Sequence, residues 1–110
     1  MEFMFSPFGL QMYRTVIAES ARFPEFGAAF WDTGPAMAHR EMVELFKQSV
    51  EAGELKPIED YEMAAETLGE LCQVWLYPRM LLGVIDSASS EEIDRVASNA
   101  VNTFLARYGA

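Results

Sequence analysis

The sequence predicts an all-α domain, and three observations support this fold class. Apolar residues recur at helical spacing in five separate segments. Proline, glycine or a side-chain cap stands at the boundaries between these segments. No segment shows a convincing alternation of apolar and polar residues, which a half-buried strand would require. We therefore expect about five helices in an orthogonal or antiparallel bundle.

Prolines begin the first three predicted helices, because the fixed φ of proline suits the first helical position. These helices are expected over residues 7–22, 24–34 and 35–52. Ser6 supplies a hydroxyl cap for the first, and Gly53 is a natural left-handed terminator for the third. The second helix is short and aromatic-rich, and we interpret it as a segment enclosed by hinges.

The last two predicted helices have caps of their own. Asp60 begins the fourth, and Pro78 should kink or end it. Ser89 and Glu92 stand three residues apart and fit a capping box at the start of the fifth, which extends to Tyr108. Residues 1–110 are thus predicted to form a single domain.

Composition limits the classes of function. The chain has 110 residues, is 51% apolar and 23% charged, and carries a net charge of −9, so that by itself it should not bind DNA or RNA. The single cysteine, Cys72, excludes an internal disulfide and suits a reducing compartment. Glu2 replaces the basic start of a signal peptide, and the apolar run 74–85 is too short to span a bilayer. We expect a cytoplasmic protein without membrane partners.

Residues with catalytic or metal-binding chemistry are few. The chain lacks a phosphate-binding glycine signature, and its only histidine, His39, is better explained as a packed or rim residue. Cys72 lies within an apolar arc, which favours a buried hydrophobe over a reactive thiol. A row of carboxylates without a histidine in register favours a solvated face over a metal site: Glu62, Glu66 and Glu70. The sequence predicts no enzyme, no metal and no cofactor.

Hydrophobic surface is in excess in two places. The last two helices have apolar arcs wider than contact with one core requires. Either these helices are buried on two sides within the monomer, or they pair with the same helices of a second copy as a four-helix bundle. We favour the pairing. The first three helices carry many methionines and aromatics. Each such residue is more often core than pocket, but together with a few polar tips they could line an apolar cavity for a small molecule.

The order of these features resembles the regulatory domain of TetR/AcrR-type transcriptional repressors. The string "YRTVIAESARFPEFGAAFWDTGP" carries the resemblance, together with "AGEL" at 52–55, "EDYEMAAE", "LLG" at 81–83 and the final segment 89–109. The resemblance covers essentially the whole chain, and its order and spacing are specific. It implies a domain that senses apolar or amphipathic effectors and forms a homodimer through its last two helices.

Carried over position by position, the resemblance implies two sets of site residues. The effector pocket would lie among the first four helices and be lined by Met12, Tyr13, Val16, Phe30, Trp31, Met42, Phe46 and Trp75. The dimer surface would comprise Leu68, Leu71, Trp75, Val96, Ala100, Val101, Phe104 and Leu105. Trp75 belongs to both sets because its helix separates pocket from interface. The alternative is a structural or protein-interaction bundle without a small-molecule ligand.

The sequence departs from the family pattern at its beginning. The N-terminal helix-turn-helix domain, through which such repressors bind operator DNA, is missing. This predicts that the chain is a fragment or a truncated gene product and that DNA is contacted only through the missing domain. We further expect four apolar residues to pack against the missing helices: Phe3, Met4, Phe5 and Phe8.

Overall fold

A computed structural model describes residues 2–110 of the chain, with side chains from residue 4 onward. Over these residues the chain forms helices and one isolated antiparallel bridge, between Leu55 and Gly109, so the predicted all-α fold is confirmed. The helices are α1 (Glu2–Phe5), α2 (Pro7–Ser20), α3 (Pro24–Thr33), α4 (Pro35–Glu51), α5 (Tyr61–Leu71), α6 (Leu76–Leu81) and α7 (Ser90–Tyr108).

The predicted caps form as expected. The Ser6 hydroxyl accepts a hydrogen bond from the Gly9 N–H at 3.0 Å at the start of α2. Asp60 accepts one from the Met63 N–H at 2.9 Å at the start of α5. A complete capping box joins Ser89 and Glu92 at the start of α7. Each satisfies backbone N–H groups that have no partner within the helix, so that local sequence sets where these helices begin.

The predicted fourth helix is divided in two. It ends at Leu71, seven residues before the expected break, and Pro78 instead lies in the first turn of α6. In the first turn of a helix a backbone N–H has no intrahelical partner, so the N–H that proline lacks is not needed there. The proline ring also clashes with no carbonyl, because no helical turn precedes it. The proline therefore acts on the chain before it, because a continuous helix would bring its ring against the carbonyl of Val74.

Two apolar clusters hold the helices together. The α6 cluster joins α1, α2, α6 and the first half of α7 and consists of Phe5, Leu10, Leu76, Tyr77, Met80 and Val96. The α4–α5 cluster joins α4, α5 and the second half of α7 and consists of Phe46, Leu55, Ala64, Ala65 and Phe104. Because α7 contributes to both clusters, it is the element that connects the two halves of the core.

The apolar N-terminus packs within the chain, which corrects the expectation drawn for it. Phe5 is buried in the α6 cluster, with its ring edge-on to Tyr77 at a centroid distance of 5.5 Å, and Met4 packs against the same cluster. α1 turns back onto α2, which supplies the cover that was expected from other helices. Phe8 remains exposed, and the side chain of Phe3 lies outside the described residues.

The domain is thin, measuring 44 × 34 × 16 Å. Its radius of gyration of 15.5 Å exceeds the roughly 13 Å typical of a compact domain of this length. A layer so thin leaves many large apolar side chains in solvent, among them Trp75 at 77% and Leu82 at 80% exposure. Within residues 2–110, no helix has both the length and the apolar character needed to cross a membrane.

Candidate functional site

An open apolar groove runs along the outer face of α2, beside α3. Its volume is about 280 Å³, and we call it the α2–α3 groove. Aromatic, thioether and aliphatic side chains form its floor, and an amide and a hydroxyl give it two polar groups. The residues that line it are Phe8, Gln11, Met12, Thr15, Val16 and Phe26. Such a surface suits an apolar molecule with one polar end.

Helix α3 forms one wall of this groove and is held weakly. None of its residues is buried, and prolines start both it and the next helix. Its close approach to α2 depends on Gly27, because a Cβ there would lie 2.7 Å from the Ser20 hydroxyl oxygen. An element with few buried groups opens at low cost in free energy. The wall therefore has little buried surface of its own to hold it in place.

A second open groove lies between α4, α5 and α7, and we call it the α4–α7 groove. Its volume is about 230 Å³. It is lined by Phe46, Ser49, Glu54, Leu55, Leu68, Val101, Phe104 and Leu105. The loop that forms one edge is tied to the end of α7, since the Lys56 N–H donates to the Tyr108 carbonyl at 2.8 Å and the Ala110 N–H to that of Glu54 at 3.2 Å.

The predicted ligand residues are not brought together in one pocket. Met12 and Val16 line the α2–α3 groove, whereas Phe46 lines the α4–α7 groove. Tyr13 lies between two other rings, with centroids 6.0 Å from Phe30 and 5.9 Å from Tyr77. Of the rest, one packs against the α4–α5 cluster and two are exposed to solvent: Met42, Trp31 and Trp75.

Four residues of the α2–α3 groove are absent from the predicted set. Phe8, Gln11 and Thr15 share one face of α2 with Met12, at helical spacing i, i+3, i+4 and i+7. This periodicity was available in the sequence. Phe26 was not identifiable in this way, because its place beside α2 depends on how α3 folds back.

The predicted dimer residues divide between core and surface. Within this chain Val96, Ala100 and Phe104 are buried, at 7%, 1% and 5% exposure, so they offer little surface to a second copy. The residues that directly follow two of them on α7 are open to solvent, since Val101 and Leu105 are about half exposed. Two further members on α5, Leu68 and Leu71, are half-buried. The surface available for pairing on α7 is thus narrower than the predicted one.

Trp75 has an unusual backbone conformation between α5 and α6. Its φ is 59° and its ψ is −32°, the only positive φ at a non-glycine residue in the described chain. The Leu76 N–H donates to the Val74 carbonyl, which makes this a γ-turn of the rare positive-φ type. Such a conformation costs about 1–3 kcal/mol and persists only where surrounding structure enforces it.

Arg14 connects α2 to the end of α6. Its guanidinium donates hydrogen bonds to the carbonyls of Met80 and Leu81, in the last turn of that helix, and the Met80 carbonyl also accepts from the Gly83 N–H at 3.1 Å. A positive charge there is also favourable to the helix dipole. Nearby, burial raises the pKa of the Tyr77 phenol, assisted by Tyr13 and opposed by the charge of Arg14.

The other candidates for reactive chemistry are dispersed. Cys72 is half-buried, and burial raises the pKa of its thiol, which opposes formation of the reactive thiolate. His39 is half-buried on α4. Glu62, Glu66 and Glu70 are all exposed. Among the described residues, no group of three or more histidine, cysteine or carboxylate side chains could hold a metal ion.

Comparison with known proteins agrees with the fold and the resemblance. Residues 1–110 match the family model described as AefR-like transcriptional repressor, C-terminal domain. A TetR-family transcriptional regulator from Mesorhizobium loti MAFF303099 superposes with a TM-score of 0.89 at 23% identity, over 97% of this chain and 52% of the other. The Flavonoid-responsive Regulator FrrA superposes with a TM-score of 0.75 at 23% identity, over 89% and 49%.

A TetR family transcriptional regulator from Pseudomonas syringae pv. tomato DC3000 also shares the fold, with a TM-score of 0.69 at 20% identity over 92% of this chain and 50% of the other. No curated protein matches the chain. The chain spans about half the length of each of these three solved structures.

Proposed function

We propose a regulatory role for this chain from the premise that it belongs to the family of C-terminal domains of AefR-like transcriptional repressors. In this role it senses a small apolar or amphipathic effector and pairs with a second copy of itself. The proposal rests on two structural observations, an apolar groove with a weakly held wall and a large excess of exposed surface. A cytoplasmic location stays a prediction.

The exposed surface supports pairing with a second copy. The chain exposes 7617 Å², about 1,500 Å² more than a compact monomer of its mass. An obligate homodimer typically covers about 1,000–2,500 Å² on each subunit, and the excess falls within this range. Val101 and Leu105 on α7 and the adjoining half-buried leucines of α5 offer an apolar strip for such an interface.

The α2–α3 groove is the observation that carries the sensing function. It contains two of the predicted ligand residues, Met12 and Val16, and one of its walls is α3, which has no buried residue. A ligand seated there would contact Phe26 and shift the balance between positions of α3 by its differential affinity for them. Because α3 is followed directly by α4, this displacement would be passed to α4 and its core cluster.

The chemistry of the groove favours a neutral or cationic apolar ligand. Its lining holds no charged side chain, and the net charge of −9 disfavours anions near the protein. The Gln11 amide can donate to or accept from a polar group of the ligand, and the Thr15 hydroxyl, which donates to the Gln11 main-chain carbonyl at 2.9 Å, can accept from it. The name of the Flavonoid-responsive Regulator FrrA supports testing planar flavonoids beside apolar cations.

A thermal-shift screen of such compounds tests the proposal. A ligand at 100 times its dissociation constant should stabilise the domain by about 2.7 kcal/mol, or roughly 10 °C in Tm. Thr15→Trp should fill the groove and abolish this shift. Ile17→Trp is the matched control, because Ile17 is an exposed position on the opposite side of α2.

Two outcomes would contradict the sensing function. A shift that survives Thr15→Trp would place the effector elsewhere. If no compound in a broad apolar and cationic library stabilises the domain, the alternative of an interaction bundle without a ligand is preferred. The exposed strip on α7 is the observation that favours this second candidate, since it would serve a protein partner equally well.

Operator binding is proposed to belong to the other half of a longer protein, because the solved relatives are about twice as long as this chain. The acidic chain alone should not be retained by random duplex DNA at low salt, where nonspecific binders associate most strongly. Retention in a gel-shift assay would contradict this assignment.

A further inference from the structure

A line of polar side chains runs along α2 in the α2–α3 groove and continues past its end. Gln11, Thr15 and Glu19 are spaced four residues apart on one uninterrupted helix, so each lies one turn beyond the last. Gln11 and Thr15 line the groove, and Glu19 extends the same face toward α3. We propose that Thr15 and Glu19 bind the ammonium group of an apolar primary amine whose body lies in the groove. This inference rests on the proposed sensing function and names the class of effector.

The position of Glu19 follows from the geometry of α2. At about 100° per residue, the five groove residues of this helix centre on one direction, and Glu19 lies within about 20° of it. The Phe23 N–H donates to the Glu19 main-chain carbonyl at 2.8 Å, which places this residue where the chain turns from α2 into α3. Glu19 therefore stands at the end of the groove where the two helices meet.

The polar groups of this line offer acceptors for hydrogen bonds. The Thr15 hydroxyl donates its only proton to the Gln11 main-chain carbonyl at 2.9 Å, so its lone pairs remain for an incoming donor. The ionised Glu19 carboxylate can only accept, and the Gln11 side chain has an acceptor oxygen one turn further along. A primary ammonium has three donors and no acceptor. It therefore matches Thr15 and Glu19 better than a carboxylate or an ether does.

The charge of Glu19 is not neutralised by another side chain. Glu19 is half-buried, and among the side chains that the structure describes the one salt bridge joins Arg79 to Glu92. The guanidinium nearest to Glu19 in sequence, that of Arg22, lies over the Phe23 ring at 5.3 Å from its centroid. The last turn of α2 also carries no basic residue, although a positive charge there interacts favourably with the helix dipole. A bound cation would supply both interactions.

The remainder of the groove suits the apolar part of such a ligand. The Phe8 and Phe26 side chains are 68% and 42% exposed, so their surface is accessible to a bound molecule. At a rise of about 1.5 Å per residue, Gln11 lies roughly 12 Å from Glu19 along the helix, and Phe8 lies about one turn beyond it. An extended alkyl chain that begins at Glu19 therefore follows the groove along α2 toward Phe8.

An NMR titration of the backbone amides with three octyl compounds tests the inference. Octylammonium should shift the amide signals of α2 and α3. It should bind about 5–10-fold more tightly than octan-1-ol, which has the same chain without the charge. Octyltrimethylammonium keeps the charge but has no N–H donor, so it should bind more weakly than octylammonium. Thr15→Trp, which fills the groove, should abolish the shifts with all three compounds.

A charge-neutralising variant tests the role of Glu19. Glu19→Gln should weaken octylammonium binding by about 5–10-fold and leave octan-1-ol binding unchanged. Its amide spectrum reports in the same experiment whether it is folded, and the comparison of the three compounds on the parent chain needs no variant. Glu62→Gln is the matched control, because Glu62 is exposed on α5, which does not line the groove, and its substitution changes the net charge equally. It should leave both dissociation constants unchanged.

The outcomes separate this inference from the proposed sensing function. If octan-1-ol binds in the groove and octylammonium binds no more tightly, the groove stands as a ligand site and the ammonium inference is refuted. Equal weakening by Glu19→Gln and Glu62→Gln would also overturn it, because the net charge and not Glu19 would then be responsible. If no octyl compound shifts the amides of α2 or α3, the inference is refuted, whereas the sensing function is decided by the wider thermal-shift screen.

Discussion

Phe104 and Leu105 are adjacent in sequence, and we expect their substitution to have opposite consequences. Phe104 is 5% exposed and stacks on Phe46 and Tyr108 at centroid distances of 4.8 Å each. Phe104→Ala should therefore lower the free energy of unfolding by about 3–5 kcal/mol, the range for truncating a buried phenylalanine. That is a large part of the roughly 5–15 kcal/mol available to a small domain.

Leu105 is 47% exposed, so the monomer depends on it far less. Covering its exposed half in a dimer would contribute about 1 kcal/mol per copy and about 2 kcal/mol for both. Leu105→Glu removes this contribution to the stability of the dimer and places a carboxylate in an apolar strip. The substitution should therefore weaken dimerisation by more than about 30-fold. The monomer itself should change by no more than about 0.5 kcal/mol.

Urea unfolding at two protein concentrations 100-fold apart separates the effects. The parent chain should unfold at a higher urea concentration when it is more concentrated, because association stabilises the folded state. Phe104→Ala should lower both midpoints, whereas Leu105→Glu should remove the concentration dependence and leave the dilute midpoint in place. A concentration-dependent loss confined to Phe104→Ala would refute our assignment of Phe104 to the monomer core.

Three further substitutions test local features of the fold. Gly27→Ala should cost about 1–3 kcal/mol in thermal unfolding, because its Cβ would lie 2.7 Å from the Ser20 hydroxyl oxygen; an unchanged Tm would contradict the dependence of this helix contact on Gly27. Ser89→Ala should cost about 1 kcal/mol by removing the capping box of α7, and an unchanged Tm would contradict that role. Burial raises the folded-state pKa of Tyr77, so its contribution to stability is complete below the unfolded-state pKa of about 10 and is lost as the pH rises from there through the higher folded-state pKa. Tyr77→Phe should reduce this alkaline loss of stability, and an identical pH profile would contradict the shift.

Local sequence determined most helix boundaries of this protein. Proline at the first helical position, the Asp60 cap and the capping box at Ser89 act within one turn, so their effects could be deduced without any tertiary contact. The family was also identifiable, because its signature is an order of short motifs along the chain. The break after Leu71 was placed too late, because a proline perturbs the residues that precede it.

Tertiary structure decided which apolar residues are core and which are surface. Helical periodicity gives the direction in which a side chain projects from its own helix. It does not say whether another helix or solvent lies in that direction. For this reason Phe104 was assigned to an interface and is buried against α4, while Trp75 was assigned to both sites and stands in solvent. The eight predicted ligand residues were dispersed in the same way, because a groove forms where separate helices cross. The sequence by itself determined the helices, their order and the family, and only the packing of α3 and α7 decided where the grooves and the exposed strip lie.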